Sequence, residues 1–342
     1  MVYRTKFYPR RGILITMIKS YLNNIEYFLP PIKENNASYL RSLGKDDKSI
    51  KKILGKIGIA KRHVSDSKTF SNDLAYKSAI KIFKKFDKRK INYMINCTQS
   101  PEYLIPTNAC ILQDRLNLKK NIGALDINLG CSGYIYLLSL AKGLISTKIS
   151  DNVLLLTSDT YSKVIKDSDL STKLIFSDAS SSTIISNKKT KSSFEILNFE
   201  FGTDGSGYKD FICEDSGSRK LQNISNSKPN IKMNGSKIYE FTLNVIPKFL
   251  NNFLKRNRTS KDKFKYFFFH QASQLVLDSL QKKIGIDKEK MVVNLNETGN
   301  TVSSSIPIIL KEKLNKIKKG DHILLCGFGV GLSWGACVLK KT

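Results

Sequence analysis

The pattern of apolar and polar residues changes its period at one point near the middle of the chain. Over residues 125–129, apolar side chains alternate with polar ones, which is typical of a half-buried β-strand. Over residues 133–145, apolar side chains recur at helical spacing and leave almost no polar face, which indicates a buried helix. Cys131 lies in the turn between the two predicted elements, between Gly130 and Gly133.

The position of Cys131 allows two interpretations. At the amino-terminal end of a buried helix, the helix dipole lowers the pKa of a thiol and favours the nucleophilic thiolate. A lone cysteine, however, is usually a small and inert side chain of the core. On this stretch alone, a catalytic nucleophile and a core cysteine both stay open.

Short apolar strands and amphipathic helices alternate on both sides of this stretch. Before and just after it, the pattern predicts strands over 14–18, 91–97 and 152–158, a turn into a short strand over 56–64, and helices over 45–54, 73–86 and 108–116. Further on, it predicts helices over 237–255, 273–284 and 304–317, and strands over 265–269, 291–295, 323–326 and 334–339. This alternation predicts an α/β fold with a largely parallel sheet covered by helices.

The chain is long enough for two domains or two fused halves, with 342 residues. The polar run over 186–193 is the predicted boundary between them. Residues 1–190 would form an amino-terminal half that carries Cys131, and residues 191–342 a carboxyl-terminal half.

The chain is strongly basic, with 57 Lys and Arg against 29 Asp and Glu and a formal charge of +28. Such a charge is compatible with nucleic-acid binding. The lysines are spread through the whole chain instead of being gathered in one arm, so we do not expect a nucleic-acid partner. A positive surface would still attract an acidic partner, and an acidic carrier protein is one candidate.

The six cysteines form no CxxC pair, which argues against a disulfide framework and against a zinc knuckle. His322 and Cys326 are four residues apart, but the segment between them has the pattern of a buried strand, so no metal site is predicted. The longest uncharged run, 323–339, is interrupted by glycines and is shorter than the ~20 residues of a membrane-spanning helix. We therefore expect no membrane segment.

The amino terminus has basic residues before a short apolar patch over 13–18 but lacks a small-residue cleavage site. The patch is therefore predicted to be a first strand instead of a signal sequence, and the protein is expected to be cytoplasmic. Met17 is an alternative start, which would leave residues 1–16 as a disordered extension.

Two further polar residues and one glycine-rich segment are placed where chemistry could occur. His270 ends an apolar run directly before a predicted helix. Functional groups of such folds lie at the carboxyl ends of strands. A lone histidine in such a place is, however, more often structural than catalytic. Asn300 follows Gly299, which by itself is only a turn signal. The segment 327–335 lacks the ending of a phosphate-binding loop, so its glycines are expected to bring the backbone close to a reacting centre or to turn a hairpin.

Four segments in this order, 126–136, 270–273, 299–307 and 327–335, resemble the motifs of the 3-oxoacyl-acyl-carrier-protein synthase III family of thiolase-like condensing enzymes. The resemblance covers residues 18–339. It also includes Gly58 and Ile59 with Arg62, Asp178 after Phe176, and Met233 with Gly235.

The resemblance implies two similar α/β halves, related by a pseudo-twofold axis, in a layered αβαβα core that is usually a homodimer. It implies that Cys131 is the nucleophile that accepts the acyl group and that His270 and Asn300 complete a Cys-His-Asn triad. The implied reaction is the decarboxylative condensation of an acyl-thioester primer with malonyl-acyl-carrier-protein, in fatty-acid or specialised acyl-chain biosynthesis. That reaction requires no metal and no organic cofactor.

The resemblance also implies the groups around the reacting atoms. Backbone N–H groups of Cys131, Val330 and Gly331 are expected to form the oxyanion site, and Val330, where the family commonly has glycine, is tolerable there if its φ is negative. Ile105 matches a position that gates the acyl pocket, often from the partner subunit. Because Ile is smaller than the Phe often found there, it would admit a longer or branched chain. The implied substrate-binding residues are Ile105, Phe176, Met233, Gly235, Ser273 and Phe328.

Several positions depart from the family pattern. Lys52 and Leu170 stand where members that use an acyl-CoA primer commonly have a Trp and an Arg around the adenine. Glu240 and Leu275 stand where basic residues are often associated with carrier docking. A primer carried on an acyl carrier protein, or a specialised pathway, therefore becomes an alternative to an acyl-CoA primer.

Two other functions stay open. An acyltransferase of the same fold would pass the acyl group to an oxygen or nitrogen without decarboxylation, although Asn300 favours condensation because decarboxylation needs paired donors. The chain could also be the inactive partner subunit of a heterodimeric synthase, although such a subunit has no need of Cys131.

Overall fold

The computed structural model describes residues 18–222 and 229–342. The predicted strand over 14–18, apart from its last residue, and the alternative start at Met17 lie outside the described residues. In the amino-terminal part, the elements are β1 (Tyr21–Phe28), β2 (Ile32–Asn35), α1 (Asn36–Ser42), α2 (Asp47–Ile57), β3 (Lys61–Val64), α3 (Ser71–Phe83), β4 (Tyr93–Cys97), α4 (Asn108–Arg115), β5 (Gly123–Ile127), α5 (Gly133–Ser146), β6 (Asn152–Asp159), α6 (Leu170–Lys173) and β7 (Ala179–Ser186).

The carboxyl-terminal part repeats the alternation of strands and helices. Its elements are β8 (Phe194–Thr203), β9 (Phe211–Cys213), α7 (Gly217–Gln222), β10 (Ile231–Met233), α8 (Gly235–Arg256), β11 (Phe264–Phe269), α9 (Gln274–Ile284), α10 (Ser305–Lys313), β12 (His322–Gly329) and β13 (Ser333–Lys341).

The main sheet has the strand order β11-β12-β13-β8-β1-β7-β6-β4-β5. Pairs β4–β5, β4–β6 and β11–β12 are parallel. Pairs β12–β13, β13–β8, β8–β1, β1–β7 and β7–β6 are antiparallel. The prediction of a largely parallel sheet is therefore wrong, because three strand pairs of the described main sheet are parallel and five are antiparallel. The predicted α/β class is confirmed.

Helices form a central layer and two outer layers around these strands. Helix α5 contacts β4, β6 and β7 on one side and β8, β12 and β13 on the other, while α10 contacts β1, β7 and β11. Helices α3 and α4 cover the outer face of the amino-terminal strands, and α8 and α9 cover that of the carboxyl-terminal strands. The predicted αβαβα layering is confirmed.

The strands between these layers are apolar on both faces, as continuous hydrophobic runs predict. In β6, Val153 and Leu155 pack against the central helices, whereas Leu154 and Leu156 pack against α3 and α4. Residue 190 lies in the loop between β7 and β8. The division into halves at that point stays a prediction.

Several elements differ from the prediction. Strands β1, β7 and β8 were not predicted. In β1, a bulge between Leu22 and Asn24 breaks the alternation. Residues 291–295 form only a single bridge from Met291 to Phe267 instead of a strand. The side chain of Gln271 binds the carbonyl of Val292 and the N–H of Asn294, so these backbone groups have no strand partner.

No helix in the described ranges is long and apolar enough to cross a membrane.

Candidate active site

Cys131 lies in the turn that joins β5 to α5, as predicted from the change of period. The N–H of Gly133 donates to the carbonyl oxygen of Gly130 at 2.8 Å and closes the turn. The end of β12 passes directly over the thiol, since a Cβ on Gly329 would lie 2.9 Å from the Cys131 sulfur. Only glycine lets the backbone approach the sulfur this closely.

His270 follows the last residue of β11, and its N–H donates to the carbonyl oxygen of Cys326 at 2.9 Å. The ring is buried, with the edge of Phe328 beside it at a centroid distance of 5.7 Å. The ring nitrogen Nδ1 lies 2.8 Å from the hydroxyl oxygen of Ser305, the first residue of α10. The backbone bond to Cys326 and the side-chain contact with Ser305 therefore fix the position of the imidazole.

Asn300 is held by the backbone of the segment that contains Phe176. Its N–H donates to Ile175 at 3.0 Å, and its carbonyl accepts from Ser177 at 2.8 Å. The preceding Gly299 has φ +66, and a Cβ there would lie 2.4 Å from the hydroxyl oxygen of Ser177. The turn at this position therefore needs glycine.

The side chain of Asn300 points toward the imidazole of His270. Its oxygen accepts from the N–H of Val302 at 2.9 Å, and its nitrogen lies 3.3 Å from Nε2 of His270. Val302 is β-branched yet has φ 52, a conformation that costs about 1–3 kcal/mol. The strained residue is the one whose N–H orients the carboxamide of Asn300.

One cavity of about 100 Å³ brings the predicted side chains together. Cys131, His270 and Asn300 all line it. Five of the six predicted substrate-binding residues line it as well: Phe176, Met233, Gly235, Ser273 and Phe328. Ile105 does not; it is 87% exposed in the loop between β4 and α4.

The predicted lowering of the thiol pKa is wrong for the protein without substrate. Burial, followed by the negative charge of Asp159, raises the pKa of the Cys131 thiol to about 12. The backbone groups of Val330 and Cys131 act in the opposite direction but do not compensate. Burial also lowers the pKa of His270 to about 3. At neutral pH the resting site therefore contains a thiol and a neutral imidazole.

Two of the three predicted oxyanion groups interact with the Cys131 sulfur through their backbone. The backbone of Val330 interacts with the Cys131 thiol, and Val330 is not among the described non-glycine residues with positive φ. A Cβ on Gly331 would meet Ser333 instead of Cys131. Backbone groups of Cys131 and Val330 are thus found at the sulfur, and the oxyanion roles of Cys131, Val330 and Gly331 stay predictions.

Asp159 is a buried residue of this region that sequence reasoning missed. One carboxylate oxygen accepts from the N–H of Gln99 at 2.8 Å, and the other accepts from the hydroxyl of Ser303 at 2.8 Å. Burial raises the pKa of Asp159 to about 7. A signal was available, because Asp159 ends an apolar strand in the same way that His270 follows one.

A second cavity of about 450 Å³ has Val330 in its lining. Gln99, Leu104, Tyr161 and Phe211 contribute to its lining. The hydroxyl of Tyr161 donates to the side-chain oxygen of Gln99 at 2.6 Å. Phe211 also lines the first cavity, so the two cavities share a wall beside Cys131.

Comparisons with known proteins match this chain to a single protein family. A family model described as 3-oxoacyl-[acyl-carrier-protein] synthase III matches residues 125–205, and the model of its C terminal matches residues 254–341. A Clostridium tetani protein named β-ketoacyl-[acyl-carrier-protein] synthase III is 33% identical over 327 residues, which cover 92% of this chain and 96% of that protein.

Solved structures agree in fold and sequence. A crystal structure of a 3-oxoacyl-(acyl-carrier-protein) synthase III has a TM-score of 0.89 and 34% identity, and covers 94% of this chain and 99% of its own. A 3-oxoacyl-(acyl-carrier protein) synthase from Burkholderia xenovorans has a TM-score of 0.86 and 31% identity, with 95% of both chains covered. Identity at this level over nearly the whole length shows that the chain belongs to the 3-oxoacyl-[acyl-carrier-protein] synthase III family.

Proposed function

We propose that the protein catalyses the decarboxylative condensation of an acyl-thioester primer with malonyl-acyl-carrier-protein, through an acyl group held on Cys131. The observation that carries this proposal is that Cys131, His270 and Asn300, from three distant parts of the chain, line one cavity. Family membership supports the same reaction class.

In the first half-reaction, the sulfur of Cys131 attacks the primer carbonyl. Because the resting thiol is protonated, its proton must leave as the bond forms, and Nε2 of His270 is the basic atom at the cavity. The carbonyl oxygen becomes an oxyanion that backbone N–H groups of Val330 and Cys131 can bind. When the tetrahedral intermediate collapses, the carrier thiolate leaves and takes the proton from His270.

In the second half-reaction, a malonyl thioester enters the emptied site. Its carboxylate leaves as carbon dioxide, and the electron pair moves onto the thioester as an enolate. Hydrogen bonds from Asn300 and His270 to the thioester oxygen stabilise that charge. The carbanion then attacks the acyl carbonyl, and collapse of the tetrahedral intermediate breaks the bond to Cys131, whose sulfur leaves as a thiolate while the 3-oxoacyl thioester is released. A proton taken up from solvent restores the thiol. Positioning and electrostatics carry both steps, with no metal or organic cofactor.

The acyl chain of the primer would extend past Val330 into the second cavity. Leu104 lines that cavity and is 64% exposed, in the same loop as Ile105. We therefore propose a homodimer in which Ile105 of one copy closes the acyl pocket of the other. Loading a series of primer lengths tests this, because retention of acetyl as the sole loaded group would contradict a pocket for longer chains.

Among possible partners, we propose an acyl carrier protein for the malonyl group and either acyl-CoA or an acyl carrier protein for the primer. The net charge of +28 favours an acidic carrier. Neither a nucleic acid nor a membrane has a role in this proposal. A cytoplasmic location, as predicted from the sequence, would suit these partners.

Release of carbon dioxide from malonyl-acyl-carrier-protein separates condensation from simple acyl transfer. We expect the wild-type protein to release carbon dioxide and to form a 3-oxoacyl product. Asn300→Ala should lower that rate by about a hundredfold, since one donor to the enolate is lost. Asn296→Ala, which changes an exposed asparagine of the same loop, serves as the matched control.

Loading of an acyl group without release of carbon dioxide would instead favour the acyltransferase alternative. Full activity of an assembled complex containing Cys131→Ala would favour the role of an inactive partner subunit.

A further inference from the structure

Helix α2 presents an exposed lysine face. Its apolar side, which includes buried Ile50, packs against the protein. The opposite side carries lysines that are all exposed: Lys48, Lys51, Lys52 and Lys56. Lys48, Lys52 and Lys56 are spaced by four residues and form a stripe about 12 Å long.

The carboxyl-terminal end of α2 lies beside the mouth of the catalytic cavity. Gly58 ends the helix in the left-handed conformation, and a Cβ there would lie 2.5 Å from the Cβ of Gln274. Gln274 begins α9, whose first turn lines the cavity through Val276, directly after Ser273. The lysine stripe therefore leads toward the opening above Cys131.

Two other lysines near this opening are paired with carboxylates. Lys237 pairs with Glu240 at 3.0 Å in the first turns of α8, and Lys61 pairs with Glu297 at 2.9 Å. Leu275, on the rim formed by α9, is apolar and 44% exposed. The rim contributed by α8 and α9 therefore offers little net positive charge.

The lysines of α2 have no such partners. Two acidic residues precede them: Asp46 caps the helix through Ser49, and Asp47 binds Arg41. No ion pair in the described ranges involves Lys48, Lys51, Lys52 or Lys56. Four unpaired cations on one helix face attract a partner with carboxylates at a similar spacing.

We propose that the lysine face of α2 is the docking surface for an acidic acyl carrier protein, whose thioester arm then reaches Cys131 through the neighbouring opening. This inference rests on the proposed function, since it assigns the carrier of that reaction to a surface. The lysines contribute encounter rate and orientation, whereas the chemical step depends on the cavity.

Charge reversal tests the surface against a matched control. The variant K48E/K52E/K56E changes the stripe, and K316E/K318E/K319E makes the same change of charge on exposed lysines just before β12. Because the cavity lies at the other end of this eight-residue strand, the control site is about 23 Å away along the strand. Both variants change side chains that are exposed, and circular dichroism checks that both fold.

The α2 variant should raise KM for malonyl-acyl-carrier-protein about tenfold or more at low salt and reduce the dependence of KM on salt. With a malonyl thioester of N-acetylcysteamine, which has no carrier, kcat/KM should change less than about twofold. Equal effects of the two variants on the carrier substrate, or an equal loss with the small thioester, would overturn the inference. A rise in KM for an acyl-CoA primer alone would also overturn it and indicate a nucleotide site.

Direct binding keeps this inference separate from the proposed function. Affinity for a purified acyl carrier protein without an acyl group is measured by titration calorimetry and needs no turnover. Weaker binding by the α2 variant alone supports the surface, and unchanged binding overturns it. Absence of condensation by the wild-type protein with the small thioester would instead count against the proposed reaction.

Discussion

The side-chain nitrogen of Asn300 lies 3.3 Å from Nε2 of His270, and this contact assigns the tautomer of the imidazole. The oxygen of Asn300 accepts from the N–H of Val302, so the group facing His270 is the donating nitrogen. Nε2 must then be the accepting atom, and the proton lies on Nδ1, which donates to Ser305. Because a hydroxyl also donates, Ser305 can support the opposite tautomer that decarboxylation requires.

This assignment predicts the nitrogen NMR spectrum of the free protein at pH 7. The chain has only three histidines, so the signals of His270 can be assigned by a single substitution. We expect a neutral ring with its proton on Nδ1, because burial lowers the pKa of His270 to about 3. Ser305→Ala should produce a mixture of tautomers, and Ser305→Thr should restore the original one. A ring protonated on Nε2 in the free wild-type protein would contradict the assignment.

From the charge of Asp159 we predict a pH-dependent change in the reactivity of Cys131. Its charge helps to hold the thiol pKa high, so Asp159→Asn should lower that pKa and raise the thiolate fraction. At pH 8 we expect alkylation of Cys131 by iodoacetamide to accelerate about threefold to tenfold. The difference should shrink below pH 7, since Asp159 with a pKa of about 7 then becomes neutral in the wild type.

Other titratable groups near Asp159 must be excluded as the cause. Cys97, Tyr161 and Asp178 interact with its charge, and no described Lys, Arg or His forms an ion pair with it. Asp178→Asn is the control, because Asp178 is equally buried but bonded to Ser162, whereas Asp159 is bonded to Gln99 and Ser303. Equal acceleration by both variants would show that the effect is not specific to Asp159.

Gly329→Ala should disable the site through a steric clash. The added Cβ would lie 2.8 Å from the Cβ of Cys131 and 2.9 Å from its sulfur, at a backbone φ of +156. Overpacking of this kind costs about 1–3 kcal/mol, and acyl loading should fall by about a hundredfold or more. Gly320→Ala has a positive φ but open space around it, so it measures the backbone strain alone. Similar loss of loading in the two variants would contradict the clash.

Much of the site could be predicted from local patterns. The turn at Cys131 follows from the change of period between β5 and α5, and His270 follows from its place directly after an apolar run. The orientation of Asn300 could not be predicted in this way. It depends on bonds to Ile175 and Ser177, which are more than a hundred residues away in sequence.

The ionisation of the site was the largest difference from the sequence-based expectation. A helix amino terminus lowers a thiol pKa, and the turn at Cys131 has that placement. Burial and the charge of Asp159 outweigh the effect, and both depend on packing between elements. A local pattern predicts the dipole of a helix but not the solvent or charges that surround its end.

Acyl loading of Cys131 tests the central claim most directly. The protein is incubated with a mixed pool of acyl thioesters, and the loaded group is measured by intact mass and located by peptide mapping. We expect one acyl group on Cys131 in the wild type and none in Cys131→Ala. Mapping distinguishes Cys131 from the exposed Cys110, the most accessible of the other cysteines in the described chain. Loading that persists in Cys131→Ala, or a wild-type protein that accepts no acyl group from any thioester, would contradict the account.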